Sequence, residues 1–132
     1  MHIDGGCHCG DISYEAEIDP QQVIICHCTD CQKLSGSAFR TVVFVPESNF
    51  KLLNGTLKTY VKVADSGNKR EQTFCPECGT HIYASSVGGE ERTLGLRVGT
   101  CRQRGELTPK KQYWGRSALD WVNHLDAIEK QE

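Results

Sequence analysis

Eight cysteines in closely spaced groups are the feature that most constrains how this 132-residue chain can fold. Seven of them fall into C-x-C and C-x-x-C spacings, at Cys7/Cys9, Cys26/Cys28/Cys31 and Cys75/Cys78. On an extended chain, side chains two positions apart share a face, which suits convergence on one metal ion better than a strained local disulfide. A disulfide framework also needs an oxidising compartment, and residues 1–6 have neither the basic nor the apolar region of a secretory signal peptide. We therefore expect metal sites rather than disulfides.

Charge and hydropathy argue against two classes of partner. The net charge is −2, so no large basic face is expected to attract a nucleic acid. The longest apolar run, residues 39–46, contains an arginine and is far too short to span a membrane. Since no signal peptide is recognised, we expect a cytoplasmic protein. The length predicts a single zinc-binding domain over residues 1–132.

Short alternating apolar and polar runs predict a mainly β fold with few short helical turns. The predicted strands are residues 11–17, 22–25, 38–45, 71–74, 81–85 and 93–98. The Asn54-Gly55 pair between the runs 50–53 and 56–62 predicts a hairpin closed by a type I′ turn. A short helical turn is predicted at Thr29–Ser35 with Thr29 as its N-cap, whereas residues 117–128 are compatible with a helix or an irregular tail.

Ligand counting suggests how the cysteines divide. The segment 75–79 (CPECG) is typical of a zinc knuckle, which supplies two of the four ligands of a closed structural zinc. One partition forms a quartet (Cys7, Cys9, Cys75, Cys78) and a trio (Cys26, Cys28, Cys31). The other pairs the knuckle with Cys28 and Cys31 as a zinc ribbon and leaves three neighbouring thiols without a role. We favour the quartet and the trio, hence two Zn²⁺ per chain, because this partition uses seven thiols in two sensible ligand sets.

The trio has the ligand number of a catalytic zinc, which keeps its fourth position for water or substrate. With three thiolates, the zinc complex is suited to holding a substrate thiol as a nucleophilic thiolate. The alternative is a structural Cys₃His site completed by a histidine such as His27. His8 and His27 each lie between two cysteines, so in an extended segment they point away from the metal. His81 is expected to be a packing or surface residue, and Cys101 a small buried one.

The three cysteine motifs, in this order and spacing, resemble those of the glutathione-dependent formaldehyde-activating enzyme family, which includes centromere protein V-like relatives. The matching segments are 6–15 (GCHCGDISYE), 26–39 (CHCTDCQKLSGSAF) and 74–80 (FCPECGT), with further similarity at 99–100 and 116–121. The resemblance implies a β-tent fold, built from small antiparallel sheets around zinc, with a structural zinc at the quartet and an active-site zinc at the trio. It also implies a carbon–sulfur lyase that condenses glutathione with formaldehyde to S-hydroxymethylglutathione.

Three functional hypotheses follow. In the first, an enzyme presents a zinc-held small thiol to an aldehyde, and Lys33, Arg40 and Arg97 are candidates to hold a carboxylate of that thiol. The turn 35–37 (SGS) either offers backbone N–H groups to an anion or is a plain turn, and we favour the plain turn. In the second, the chain is a non-catalytic zinc module that binds a macromolecule through its weak basic cluster, Arg102, Arg104, Lys110, Lys111 and Arg116. In the third, the trio releases zinc on oxidation.

Overall fold

Strands arranged in two sheets form the framework of the fold, which the computed structural model describes at residues 1–64 and 66–132. In chain order the strands are β1 (His2–Gly6), β2 (Ser13–Glu17), β3 (Val23–Cys26), β4 (Arg40–Pro46), β5 (Phe50–Asn54), β6 (Lys58–Val63), β7 (Lys69–Phe74), β8 (His81–Ser86), β9 (Thr93–Arg97) and β10 (Lys111–Tyr113). One α-helix is described, α1 (Thr29–Ser35). Short 3₁₀ turns lie at Pro20–Gln22, Glu47–Asn49, Val98–Thr100, Arg104–Glu106, Gly115–Ser117 and Asp120–Ala127.

The smaller sheet has the order β1-β2-β5 and the larger one the order β10-β3-β4-β9-β8-β7-β6. The prediction of a mainly β fold with few helical turns is therefore confirmed. The larger sheet is mixed, because β10 pairs parallel to β3 while its other described strand pairs are antiparallel. After β9 the chain crosses to the far side of β3 through two 3₁₀ turns, and there it forms β10. This crossover connection, unlike a tight hairpin, brings β10 in parallel to β3.

The two sheets pack against each other across the hydrophobic core. From the larger sheet, Val43, Val45, Leu94 and Leu96 point into this core and are almost fully buried. The smaller sheet contributes a second set: Ile3, Tyr14 and Ala16. Burying each large aliphatic side chain stabilises the fold by about 1.5–3 kcal/mol, so this layer is the main apolar contribution to folding. It leaves the opposite face of the larger sheet free to form a site.

The predicted hairpin at Asn54-Gly55 is wrong. Strand β5 pairs with β2 in the smaller sheet, whereas β6 pairs with β7 in the larger one. The pair therefore carries the chain from one sheet to the other. The Asn54 side chain donates to the Asp11 carbonyl oxygen at 2.8 Å. Gly55 has φ +95°, and a Cβ there would stand 2.5 Å from the same oxygen, so glycine is needed for this close crossing.

The helical predictions were partly right. Strand β3 leads into α1 at the predicted residues, but its N-cap is Cys28, whose sulfur accepts a hydrogen bond from the Cys31 N–H at 3.2 Å. Thr29 was expected because hydroxyl caps are preferred. Residues 117–128 are irregular, with 3₁₀ turns that a kink at His124 interrupts. Within the described residues, no helix has the length and apolar character needed to cross a membrane.

We expect Gly5→Ala to destabilise the protein by about 3 kcal/mol, because overpacking where the backbone cannot yield is costly. A Cβ at Gly5 would overlap the Thr100 carbonyl oxygen and stand 2.6 Å from the Tyr14 hydroxyl. Gly99→Ala is the matched control, since a Cβ at Gly99 meets nothing within 4 Å. Urea unfolding of both variants measures the difference. Equal stability of the two would contradict the close approach of β1 to residues 98–100.

Candidate metal centres and an adjoining cleft

The quartet forms the first candidate metal centre. The structure brings the sulfurs of Cys7, Cys9, Cys75 and Cys78 within 4.8 Å of one another. Two of the separations are 3.5 Å, between Cys7 and Cys9, and 3.8 Å, between Cys9 and Cys75. Sulfurs arranged tetrahedrally around a zinc with Zn–S bonds of about 2.3 Å lie about 3.8 Å apart, whereas a disulfide requires about 2.05 Å. The spacing fits a metal ion, and all eight cysteines are free thiols.

Two tight turns create the quartet. In the knuckle, the Gly79 N–H donates to the Cys75 carbonyl at 2.9 Å and Gly79 adopts φ +79°. On the other side, the Gly10 N–H donates to the Cys7 carbonyl at 3.3 Å and Gly10 adopts φ +89°. The extended geometry expected for the first C-x-C pair is therefore wrong. Residues 7–10 turn instead, since glycine after the second cysteine permits the left-handed backbone that closes the turn.

The trio forms the second candidate metal centre. Cys26 ends β3, Cys28 caps α1 and Cys31 lies in its first turn, and the three sulfurs lie within 4.8 Å of one another. Cys28 and Cys31 group with Cys26 and not with the knuckle cysteines, whereas the zinc-ribbon partition would place them beside the knuckle. No histidine joins either cluster within residues 1–64 and 66–132. The two clusters can hold metal ions.

The acid–base behaviour of the trio also fits a cation. Contact with the Cys31 side chain lowers the pKa of Cys26 to about 5, and Cys26 in turn raises the pKa of Cys31 above its usual value. Thiols this close therefore ionise in sequence, because each new thiolate repels the next. A bound cation would remove this penalty and allow all three to act as thiolates.

His27 points away from the trio, as the sequence predicted. Its ring is buried against Phe39, and its Nε2 lies 2.7 Å from the Gln112 side-chain oxygen. Gln112 lies on β10, the strand that pairs with β3. The histidine thus ties the segment carrying two trio cysteines to the edge strand, which is a positioning role.

The trio opens onto a cleft of about 150 Å³ whose floor is the outer face of the larger sheet. All three trio cysteines line this cleft, and no cysteine of the quartet does. Strand register explains the floor. Cys26 lies opposite Arg40, Val42 lies opposite Arg97, and Gln72 lies opposite Ala84, so these side chains share one face. Helix α1 covers one side through its trio cysteines and Leu34.

Arg40 and Arg97 both line the cleft and are buried, with no carboxylate within 4.0 Å in the described part of the chain. Both donate to the Gln72 side-chain oxygen, at 3.4 Å and 3.1 Å. Burial lowers the pKa of Arg97 to about 9, and repulsion from Arg40 adds to this effect. These two candidates therefore lie beside the trio.

The other anchoring candidates lie elsewhere. Lys33 is exposed and lines a different groove, on the side of α1 away from the cleft, together with Trp121. In the turn 35–37, the Gly36 and Ser37 N–H groups donate to the carbonyls of Lys33 and Gln32. These groups cap α1, so the plain turn that we favoured is the one observed.

The cleft residues that sequence reasoning missed include Lys62, Arg70, Gln72 and Tyr113. Alternation along β7 could have placed Arg70 and Gln72 on one face, opposite the buried Thr73. Nothing in the sequence indicated that this face meets the trio, because β6 and β7 lie several strands away from β3 in the sheet.

We expect His81 to make the protein sensitive to mild acid. Burial, with repulsion from Arg97 and Arg40, lowers the pKa of His81 to about 4. The unfolded chain takes up this proton first, near pH 6.5, so the stabilising effect is present above that pH and is lost as pH falls towards 4. His81 is only half-buried, so the loss between pH 7.5 and 5.5 should be under about 1 kcal/mol.

Urea unfolding of the His81→Phe variant at the two pH values measures this contribution. The variant should lose less stability on acidification than the wild type. His124→Phe, at an exposed histidine, is the matched control and should behave like the wild type. Equal acid sensitivity of His81→Phe and wild type would contradict the assignment.

Comparison with known proteins identifies the family. The sequence model of the family described as "Glutathione-dependent formaldehyde-activating enzyme" matches residues 2–117, a span that contains both the quartet and the trio. The chain belongs to this family. The family predicted from the three cysteine motifs is thereby confirmed.

Two individual proteins that resemble this chain share 30% or less of its sequence in the aligned region. A protein of Emericella nidulans, which bears the name of the same enzyme provisionally, is 30% identical over 79 residues. The match includes 58% of this chain and 39% of the relative, so the chain spans about two fifths of the length of the curated relative it matches. A crystal structure of a Rhodobacter sphaeroides protein superposes with a TM-score of 0.61 and 19% identity, over 83% of this chain and 98% of the other. That likeness supports the fold alone.

Proposed function

We propose that the chain is a zinc-dependent carbon–sulfur lyase-like enzyme that acts on a small, glutathione-like thiol and an aldehyde such as formaldehyde. The observation that carries the proposal is the different placement of the two cysteine groups relative to the cleft. The trio lines a cleft large enough for small molecules, whereas the quartet does not line it. Family membership supports the choice of thiol and aldehyde.

The two centres have different roles in this proposal. The quartet supplies four thiolates, the complete ligand set of a structural zinc, and its turns connect β1 and β2 to β7 and β8. The trio supplies three, so a zinc held there has room for one more ligand. Such a zinc would keep a substrate thiol as its thiolate at neutral pH.

The reaction is an addition that needs no oxidant or reductant. The thiol sulfur bonds to the carbonyl carbon of the aldehyde, the carbonyl π bond opens, and the proton lost by the thiol ends on the new hydroxyl oxygen. The chain contributes binding and orientation. Apolar walls from Ile24, Val42 and Phe44 limit water around the sulfur, and the buried guanidinium groups of Arg40 and Arg97 attract an anionic thiol.

Exchange spectroscopy by NMR tests the proposal on the zinc-loaded chain. Glutathione and formaldehyde form S-hydroxymethylglutathione without a catalyst, so the measured quantity is the exchange rate between free and adduct signals at equilibrium. We expect this rate to rise in proportion to protein concentration. Metal analysis of the same sample should return two zinc ions per chain. A rate independent of protein, with both ions present, would contradict the enzyme.

One observation favours the non-catalytic alternative. Beyond β10, several large apolar side chains are about half exposed, namely Trp114, Trp121, Leu125 and Ile128. Exposed apolar surface of this kind occurs at protein interaction sites. Two zinc ions that are equally inert towards small thiols, in a protein that does not accelerate the exchange, would support a zinc module that binds a macromolecule.

A further inference from the structure

We propose that Arg40, Arg97 and Gln72 form an anion site beside the trio, which binds the carboxylate of a mercapto acid. This inference deepens the proposed function and rests on it, because the trio must hold the sulfur of the same molecule. It names the substrate class as thiols whose acid group lies only a few bonds from the sulfur.

The two arginines are buried, and no carboxylate of the described residues is paired with them. Arg40 is 6% exposed and Arg97 is 9% exposed. Arg40 Nη2 and Arg97 Nε are buried and have no hydrogen-bond partner. A buried charge normally has a partner, because taking it out of water without one costs several kcal/mol. A zinc-bound trio would offset only part of the positive charge, so the remaining partner in this proposal is an anion that enters the cleft.

Gln72 holds the two guanidinium groups while leaving their charge uncompensated. It is 4% exposed, and its side-chain oxygen accepts from both arginines. A glutamate at this position would provide an internal carboxylate and neutralise one positive charge. The neutral amide fixes the geometry of the pair and leaves the carboxylate to the ligand.

Strand register sets the distance between sulfur and acid group. Cys26 and Arg40 are direct cross-strand partners, so their Cβ atoms lie about 5 Å apart. Arg97 lies diagonally from Arg40, opposite Val42, at about 7–8 Å between backbones. Gly95 makes room beside it, since a Cβ there would stand 3.4 Å from Arg97 Nη1. A ligand that reaches both sites therefore needs a short spacer.

The charges that face the cleft match a dianion. Arg40, Arg70 and Arg97 have no carboxylate partner in the described residues, whereas Lys62 is paired with Asp30 at 2.7 Å. A zinc held by three thiolates carries one negative charge, which leaves two positive charges over. One substrate thiolate and one carboxylate would balance them. The cleft of about 150 Å³ has the volume of roughly five water molecules, which suits a compact mercapto acid.

Calorimetry on the zinc-loaded chain tests the site with three probes. 3-Mercaptopropionate has both groups, 2-mercaptoethanol has the thiol alone, and propionate has the acid alone. We expect the wild type to bind 3-mercaptopropionate at least about ten-fold more tightly than 2-mercaptoethanol, since a charge-assisted guanidinium–carboxylate bond contributes that much. Equal binding of the two thiols by the wild type would overturn the proposal.

Gln72→Glu is the decisive variant because it is nearly isosteric and introduces the carboxylate that the site lacks. It should bind the two thiols with similar affinity and should no longer bind propionate. Its melting temperature should rise, because both buried arginines then have an anionic partner. Gln21→Glu, at an exposed glutamine, adds the same charge elsewhere and should keep the wild-type preference. A Gln72→Glu protein that still prefers 3-mercaptopropionate to 2-mercaptoethanol would overturn the site. The Arg97→Gln variant should also lose this preference.

The probes also separate this inference from the proposed function. If the trio does not hold a thiol, 2-mercaptoethanol will not bind, yet propionate will still bind the wild type and not Gln72→Glu. That result would contradict the proposed thiol chemistry and support the anion site. If instead 2-mercaptoethanol binds, propionate does not bind and the mercapto acid is not preferred, the thiol site is supported and the anion site is contradicted.

Discussion

Replacing Cys75 with alanine is expected to leave the chain unfolded under conditions in which the wild type is fully folded. Cys75 is completely buried and belongs to the quartet, whose two turns join elements of both sheets. A structural zinc contributes on the order of 10 kcal/mol to a small domain. That amount is comparable to the whole stability of a domain, which is about 5–15 kcal/mol. Circular dichroism and zinc analysis of the purified variant measure the outcome.

Cys101→Ala is the matched control for this prediction. Cys101 is as fully buried as Cys75, but it lies outside both cysteine groups and contacts the Tyr14 hydroxyl at 3.2 Å. The same substitution there removes one sulfur from the core and should cost only about 1–2 kcal/mol. The control should therefore remain folded and keep two zinc ions. A Cys75→Ala protein that folds as well as Cys101→Ala would show that the quartet does not hold the fold together through a metal.

Local features of the chain were predictable because they depend on neighbouring residues. The C-x-x-C-G turn, the short helix after Cys28 and most strand positions follow from glycine positions, caps and alternation. Family motifs also pointed to the division of the cysteines into two groups. The first C-x-C pair shows the limit of such local arguments, because Gly10 turns the chain where alternation predicted an extended segment.

Long-range features were not predictable, because they depend on which strands pair. Asn54-Gly55 has the sequence of a hairpin turn, yet β5 leaves for the smaller sheet. The same global choice joins β4, β9, β8 and β7 in one sheet, and only then does Gln72 meet Arg40 and Arg97. Charged residues in short runs look like solvated surface in the sequence. Here the larger sheet buries them beside the trio, so the cleft is a product of topology rather than of any motif.

Replacing Cys28 with serine is expected to abolish catalysis while leaving the fold intact. Serine is a good N-cap and can accept the hydrogen bond from the Cys31 N–H that the Cys28 sulfur accepts now. It is a poor substitute for a thiolate ligand, so the trio should lose its zinc and the protein should contain one zinc ion instead of two. Metal catalysis contributes several kcal/mol, so the protein-dependent exchange rate should fall at least about a hundred-fold.

Comparing Cys28→Ser with Cys75→Ala separates a structural role from a catalytic one. Both substitutions remove one cysteine from a cluster, but the proposal assigns stability to the quartet and chemistry to the trio. Cys28→Ser should therefore melt within a few degrees of the wild type, with an unchanged circular dichroism spectrum. If it unfolds as Cys75→Ala is expected to, both centres are structural and the chain is better described as a zinc-binding module. If it retains two zinc ions and full exchange activity, the trio is not the reactive centre. The proposal requires that Cys28→Ser be folded, contain one zinc ion and be inactive. Only this outcome agrees with the proposal that the trio, which lines the cleft, holds a substrate thiol.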